Sequence, residues 1–259
     1  MSDVLTLERA PPAAVLTFNR PDKQNALNLA MFDALDDAFD ALDREGDIRG
    51  VVLTGTPNVF STGGDLKQAL EINTILETKF WLDRFAATNA RIEALTKPVV
   101  AAIHGWCLTG GLELALCCDI RIAATTAQFG VTSSRIGTVA GAGATQRLAR
   151  LIGPEWTKQM LFSGDFIDAQ TALRIGLVSE VVEPDAVVPA ATARIAAYAQ
   201  RAPLSVYYAK LAVNNGLQMD LQSALAYERQ LTTGLFATAD RKEGMAAFLG
   251  KRKPHFKGE

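Results

Sequence analysis

Two glycine-bearing loops and one glutamate stand out for the chemistry they could do together. Ser61-Thr62-Gly63-Gly64-Asp65 and Leu108-Thr109-Gly110-Gly111-Leu112-Glu113 each follow an apolar run. Glycine lets backbone approach a ligand closely, and an amide at a helix N-terminus carries partial positive charge. Two such amides aimed at one carbonyl oxygen make an oxyanion hole, in which one donor is worth about 2.7–4 kcal/mol at the transition state. Turn glycines would leave the same trace in a sequence. Glu113 tilts the balance, three residues after Gly110 and beside Leu112, Leu114, Ala115 and Leu116. A carboxylate there is either a charge partner for a helix N-terminus or a partly buried acid with a raised pKa. The second would supply a general base near neutral pH.

Other candidate groups fall away on their context. His104 has no Gly-x-Ser-x-Gly partner, because neither FSTGGD nor GTVAGAG contains that elbow. It is expected to be a buried strand-end residue oriented by backbone, and His255 a surface residue. Two histidines so far apart, with no clustered Cys or Asp, do not make a zinc site. Gly141-Ala142-Gly143 precedes a helical run, residues 144–151, but the third glycine position of a dinucleotide loop holds Gln146. Gln146 and Arg147 are expected to be buried hydrogen-bonding residues. Phe80, Trp81 and Phe85 are expected in the core.

These groups need a scaffold, and 259 residues are enough to bury a large core. Residues 13–18 (AAVLTF), 50–54 (GVVLT), 98–103 (PVVAAI) and 119–124 (DIRIAA) read as strands, the continuous apolar ones being the kind buried on both faces of a parallel sheet. Met31, Leu35, Ala38 and Leu42 recur at helical spacing, with Gly46 as the stop. A long segment of helical character covers residues 66–95, and a helix is expected over 112–118. Strands separated by helices argue for an α/β architecture with crossover connections. The last sixty residues read as three helices, 203–213, 220–236 and 240–249, with Gly216 and Gly250 as stops and Asp240 with Glu243 as a capping pair. A soft boundary near residue 200 divides a mixed core, residues 1–200, from a helical region, residues 201–259.

With 49% hydrophobic and 21% charged residues and a formal net charge of -2, the composition is that of a soluble globular protein. That balance gives no footprint for nucleic acid or an anionic membrane. Lys251, Arg252, Lys253 and Lys257 form a basic tail, solvated or in contact with a phosphate. Cys107, Cys117 and Cys118 make neither a disulfide framework nor a metal spacing, so reduced thiols in a cytoplasmic setting are expected. No signal or transit pattern and no apolar run of membrane length is present.

Asn19-Arg20-Pro21 with Asn25-Ala26-Leu27-Asn28, then VVLTG and FSTGGDL, then AAIHGWCLTGGLELALCCDIRIA, then AQFG and IGTVAGAGATQRL, resemble the successive signature segments of the crotonase (enoyl-CoA hydratase/isomerase) family. The closing EGMAAFLGKRKPHF is similar to that family's last helix, so the likeness spans essentially the whole chain. It implies a spiral of ββα turns with C-terminal helices that assemble trimers, often paired into hexamers. It implies an acyl-CoA substrate whose thioester oxygen is held by the amides of Gly64 and Gly110, with an enolate formed beside the thioester. Neither metal nor redox cofactor is called for; coenzyme A enters as part of the substrate. The CoA arm would lie along Lys23, Gln24 and Ala26 and along Asp65 and Leu66. Phe248 and Lys251, from this or a neighbouring subunit, would reach the nucleotide end, which gives the basic tail a use. Some of the aromatic residues near Trp81 would wall the acyl pocket.

The sequence departs from the family pattern where a hydratase carries its second glutamate. That position falls on Ser133, and a hydroxyl can place water but cannot deliver a proton near neutral pH. Thr109 stands where glycine is usual and Ala140 where proline is usual, both lining the expected site. Hydration of a 2-enoyl-CoA to a 3-hydroxyacyl-CoA, with Glu113 serving as base and acid in turn, heads the expected activities. Double-bond isomerisation by a single base comes next, then thioester hydrolysis or C–C cleavage. A catalytically silent acyl-CoA-binding subunit is the alternative outside enzymology.

Overall fold

The computed structural model describes residues 3–56 and 58–259. The strands are β1 (Leu5–Ala10), β2 (Ala13–Phe18), β3 (Gly50–Thr54), β4 (Val59–Ser61), β5 (Val99–Ile103), β6 (Trp106–Leu108), β7 (Ile120–Ala124), β8 (Gln128–Gly130), β9 (Ile167–Asp168) and β10 (Glu180–Val182). The helices are α1 (Leu29–Arg44), α2 (Leu66–Leu70), α3 (Ile75–Ala94), α4 (Gly110–Ala115), α5 (Ala144–Ile152), α6 (Pro154–Ser163), α7 (Ala169–Arg174), α8 (Val187–Tyr198), α9 (Pro203–Gly216), α10 (Leu221–Leu235) and α11 (Ala239–Leu249).

Two sheets share these strands in alternation. The larger runs β1-β2-β3-β5-β7-β10 and the smaller β4-β6-β8-β9. Consecutive strand pairs therefore place one strand in each sheet, followed by a helix: β3, β4 and α2–α3, then β5, β6 and α4, then β7, β8 and α5. This is the expected ββα spiral. β3, β5 and β7 are parallel neighbours, with Val51 opposite Val99 and Val100 opposite Ile120. β4, β6 and β8 repeat the arrangement, Val59 facing Trp106 and Cys107 facing Phe129. Every residue of β3 and β5 is buried, which is why those strands read as unbroken apolar runs.

α1 forms because Met31, Phe32, Leu35, Phe39 and Leu42 fall on one buried face. The Asn28 side chain accepts the Met31 N–H at its start, and Lys97 Nζ donates to the Leu42 and Glu45 carbonyls at its end. The long segment after Leu66 is two helices rather than one. Asp65 caps α2, the chain turns through residues 71–74, and Thr74 with Glu77 forms a capping box that starts α3. The helix expected over 112–118 begins two residues earlier, at Gly110, and ends at Ala115.

Three expectations are corrected. Thr238, not Asp240, caps α11; buried Asp240 instead accepts the Lys257 and Gly258 N–H groups, while Glu243 pairs with Arg252 and accepts from the His255 N–H. Glu243 is held down at about 2 by those partners, Arg252 first. Gly216 lies inside α9 as its last residue rather than beyond it. His104 is buried, but its Nδ1 has no partner among the described residues, so backbone does not orient that nitrogen.

α9 and α10 pack on each other yet contain no buried residue. Lys210 of α9 reaches into the core, donating to the Ile92 and Lys97 carbonyls and pairing with Asp119 at 3.0 Å. No described helix is long and apolar enough to cross a membrane.

Candidate active site

The two glycine loops meet. A Cβ on Gly63 would stand 2.8 Å from the Gly110 nitrogen, and one on Gly110 would stand 3.1 Å from the Gly64 nitrogen. The parallel alignment of β4 and β6 sets this proximity, because each strand delivers its loop to the same end of the small sheet. Leu27 fixes the first loop from the other side, donating to the Gly63 carbonyl and accepting from the Asp65 N–H. Among the described residues neither the Gly64 nor the Gly110 N–H donates to a protein acceptor. Gly110 opens α4, where the first N–H groups have no intrahelical partner.

Aromatic side chains close the floor beneath these donors. Phe85 would be 2.9 Å from a Cβ on Gly110, and both Phe85 and Trp81 lie about the positions a Gly64 Cβ would touch. Trp81, Phe85 and Phe32 stack edge to face. Phe80, next to Trp81 on α3, is exposed, so it leaves the expected core set. It joins Leu29, Gln68, Ile72, Leu76 and Trp81 around a cavity of about 400 Å³ at the outer side of Trp81.

Glu113 is 2% exposed. Its Oε1 accepts the Ala142 N–H at 2.8 Å and the Ala144 N–H at 3.0 Å. Burial pushes its pKa up from the ordinary glutamate value, and the Ala144 and Ala142 amides with the Arg147 charge only partly offset this. Glu113 is thus the buried acid rather than the solvated helix partner. Its anchoring loop is itself anchored. The Asn89 amide and the Arg147 guanidinium both donate to the Ala142 carbonyl, and Arg147 grips Glu93 through two bonds of 2.8 and 2.9 Å. Arg147 therefore hydrogen-bonds as expected although half-buried, whereas Gln146 is exposed and that expectation fails.

Ser133 is 5% exposed and starts the 3-10 turn Ser133–Ile136 that follows β8. Its hydroxyl makes no hydrogen bond among the described residues, and no bond joins it to Glu113. It is tied to the Gly110 loop indirectly. Thr132, one residue before it, hydrogen-bonds through both backbone and side chain to Thr109, one residue before Gly110. Thr109 has φ 42° and ψ −111°, a conformation that suits glycine and costs other residues about 1–3 kcal/mol. Ala140 is buried in the loop that leads to Ala142.

The residues expected along the CoA arm gather in one place. Lys23 ends the turn Pro21–Lys23, Gln24 and Asn25 follow at φ 49° and 53°, and Arg20 donates to both the Ala26 carbonyl and the Asp65 carboxylate. Desolvation by burial raises the Asp65 pKa, but the Arg20 bond and the α2 amides outweigh it and hold the carboxyl below its usual range. Leu66 is exposed beside it. Buried Asn25 staples this turn to β4, its amide on the Val59 and Phe60 carbonyls. Phe248 and Lys251 lie apart at the exposed end of α11, and among the described residues no hydrogen bond connects them to this cluster. Arg20 stood in the quoted motif without a role, and Asn89 and Thr132 carried no signal at all. The partners Asp65, Ala142 and Thr109 lie 23 to 53 residues away, beyond any local pattern.

Two backbone N–H groups without a protein acceptor, a buried carboxylate three residues after the second and a polar turn thus make up the site. The model of the family described as enoyl-CoA hydratase/isomerase matches residues 9–259. The chain belongs to that family. It is 40% identical over 248 residues to a short-chain-enoyl-CoA hydratase of Clostridium acetobutylicum, covering 95% of each chain. It is 39% identical to a crotonyl-CoA hydratase of Syntrophomonas wolfei, over 97% of both. It shares 37% of its sequence with the crystal structure of an enoyl-CoA hydratase from Bacillus anthracis, at a TM-score of 0.95 over 99% of this chain and 100% of that one. Membership in the enoyl-CoA hydratase/isomerase family confirms the α/β spiral fold read from the motifs and the enzyme class that came with it.

Proposed function

We propose that the protein hydrates a 2-enoyl-CoA to the 3-hydroxyacyl-CoA, and that Glu113 handles both proton transfers. The single observation that carries this is the geometry of buried Glu113, held by the Ala142 and Ala144 amides beside the unpaired Gly64 and Gly110 N–H groups. The names of its relatives, hydratases across the full chain, place hydration ahead of isomerisation, hydrolysis and silent binding.

In this reading the thioester oxygen accepts both amides, which draws π-electron density from the C2=C3 bond toward the carbonyl. Glu113 takes a proton from a water whose oxygen bonds to C3, and the π electrons move onto the thioester oxygen as an enolate. The enolate then collapses, C2 takes the proton from Glu113, and the carboxylate is restored. A raised pKa suits a group that must first accept and then release a proton. Ser133 fits a water-orienting role and no acid role. Lys23, Gln24, Ala26, Asp65 and Leu66 bind the CoA arm, and no cofactor beyond substrate-borne CoA is required. Phe248 and Lys251 would serve the nucleotide end from a neighbouring subunit. The outward apolar residues of α9 and α10 support a trimer or a hexamer built through residues 201–259. Three buried, unpaired thiols support a cytoplasmic setting.

Incubation with crotonyl-CoA in deuterated water, followed by mass spectrometry, tests the assignment. The expected product is 3-hydroxybutyryl-CoA carrying one non-exchangeable deuterium at C2. Deuterium exchange without hydration, or release of free CoA, would overturn it.

A further inference from the structure

We propose that the Thr109 side chain is a positioning residue, a hydroxyl latch that aims the Gly110 N–H of the oxyanion hole and couples it to the segment bearing Ser133. The proposal rests on the reading of Gly110 as a thioester-oxygen donor. It adds the device that holds that donor in place.

The torsion ψ of Thr109 sets the plane of the peptide that carries the Gly110 N–H. At φ 42° and ψ −111° that plane is held where a β-branched residue does not rest on its own. Such a conformation persists only where its surroundings over-determine it. Four bonds converge on this one residue. Its N–H donates to the Gly130 carbonyl at 2.9 Å, and its carbonyl accepts the Glu113 N–H at 2.8 Å. Its Oγ accepts the Thr132 N–H at 3.1 Å and shares a hydrogen bond with the Thr132 hydroxyl at 2.9 Å. Glycine could adopt the same backbone angles but could supply neither hydroxyl bond, and it would be free to leave them. The latch bridges β6 and β8 where both strands end, so movement of the Ser133 turn and movement of the Gly110 amide become one motion. Through the Glu113 N–H it also ties the first turn of α4 to the same point.

The test compares Thr109→Val, which keeps the shape and loses the hydroxyl, with Thr109→Ser, which keeps the hydroxyl. In the ligand-free protein, hydrogen–deuterium exchange at the Thr109 and Thr132 amides is read by mass spectrometry. With crotonyl-CoA, kcat and KM are read separately. The latch predicts faster exchange in Thr109→Val and a kcat lower by roughly tenfold to a hundredfold, the scale of a small misplacement of a catalytic donor, with KM nearly constant. Thr109→Ser recovers most of both. Equal kcat in the two variants overturns the latch, whether or not exchange changes, and so does unchanged exchange in Thr109→Val. Exchange does not depend on the reaction catalysed. Failure of the hydration reading, seen as undiminished turnover in Glu113→Gln, is therefore distinguishable from failure of the latch.

Discussion

The spiral core and the three C-terminal helices use similar amounts of apolar residue to opposite effect. In β3 and β5 every residue is buried, and α1 sinks five large apolar residues into the cluster that Val51, Leu53, Val99, Ala101 and Ile103 share. In α9 and α10 no residue is buried, and Val213, Leu217, Leu221 and Leu225 face outward with Phe236 just beyond. The core satisfies itself and can therefore hold a charged-site precursor such as Glu113 dry. Lys210 is one point at which the C-terminal helices are attached to the core, through the Ile92 and Lys97 carbonyls and Asp119, and their apolar side chains are left exposed. The proposed chemistry lies in one region; the other supports the proposed assembly.

Five variants sharpen that contrast, and the largest effect belongs to the core. Glu113→Gln is expected to lower kcat for crotonyl-CoA by at least ~10³, since it removes both proton transfers, measured by loss of the enoyl absorbance. The same variant should be more stable than the parent at neutral pH. A carboxylate with a raised folded pKa disfavours the native state once pH exceeds its unfolded value, so the gain in Tm should shrink as pH falls toward 4.5 and vanish below it. Gly110→Ala places a Cβ 2.9 Å from Phe85 and should cost roughly 10² in kcat, whereas Gly64→Ala meets its neighbours at 3.5 Å or more and should cost far less.

The joint between the regions comes next. Lys210→Met leaves Asp119 without its cation and should lower stability by about 3 kcal/mol, read by chemical denaturation, with little change in KM. The smallest effect on the isolated fold is expected from Leu217→Lys with Leu221→Lys. Both sites are exposed, so stability of a single chain should change by less than about 0.5 kcal/mol per site. Sedimentation should nevertheless report a smaller species if these residues support the assembly.

The core was legible because its signals are local. The strands over residues 13–18 and 50–54 appear where the apolar runs place them, and Glu113 announced itself as a carboxylate among leucines. The strands of the small sheet were not legible, because three residues, as in Val59–Ser61 and Trp106–Leu108, are too few to show alternation. They sit inside what reads as loop, yet they bring Gly64 to Gly110. Thr109 was visible as an odd residue in a glycine position. Its bonds to Thr132 were not, because they depend on β6 lying beside β8. Capping at α11 was misread for a related reason: Asp240 and Glu243 have helix-start spacing, but the folded tail claims both carboxylates.

In the proposed reaction one buried carboxylate, Glu113, governs proton movement while Ser133 contributes no ionisation. The pH dependence of kcat/KM for crotonyl-CoA, in the parent protein and in Ser133→Ala, tests it most directly. The expected result is a rate that falls with pH along one acid limb set above the ordinary glutamate value of 4.5, unchanged in position in Ser133→Ala. A rate independent of pH across that range, or a limb that moves when Ser133 is replaced, would contradict it.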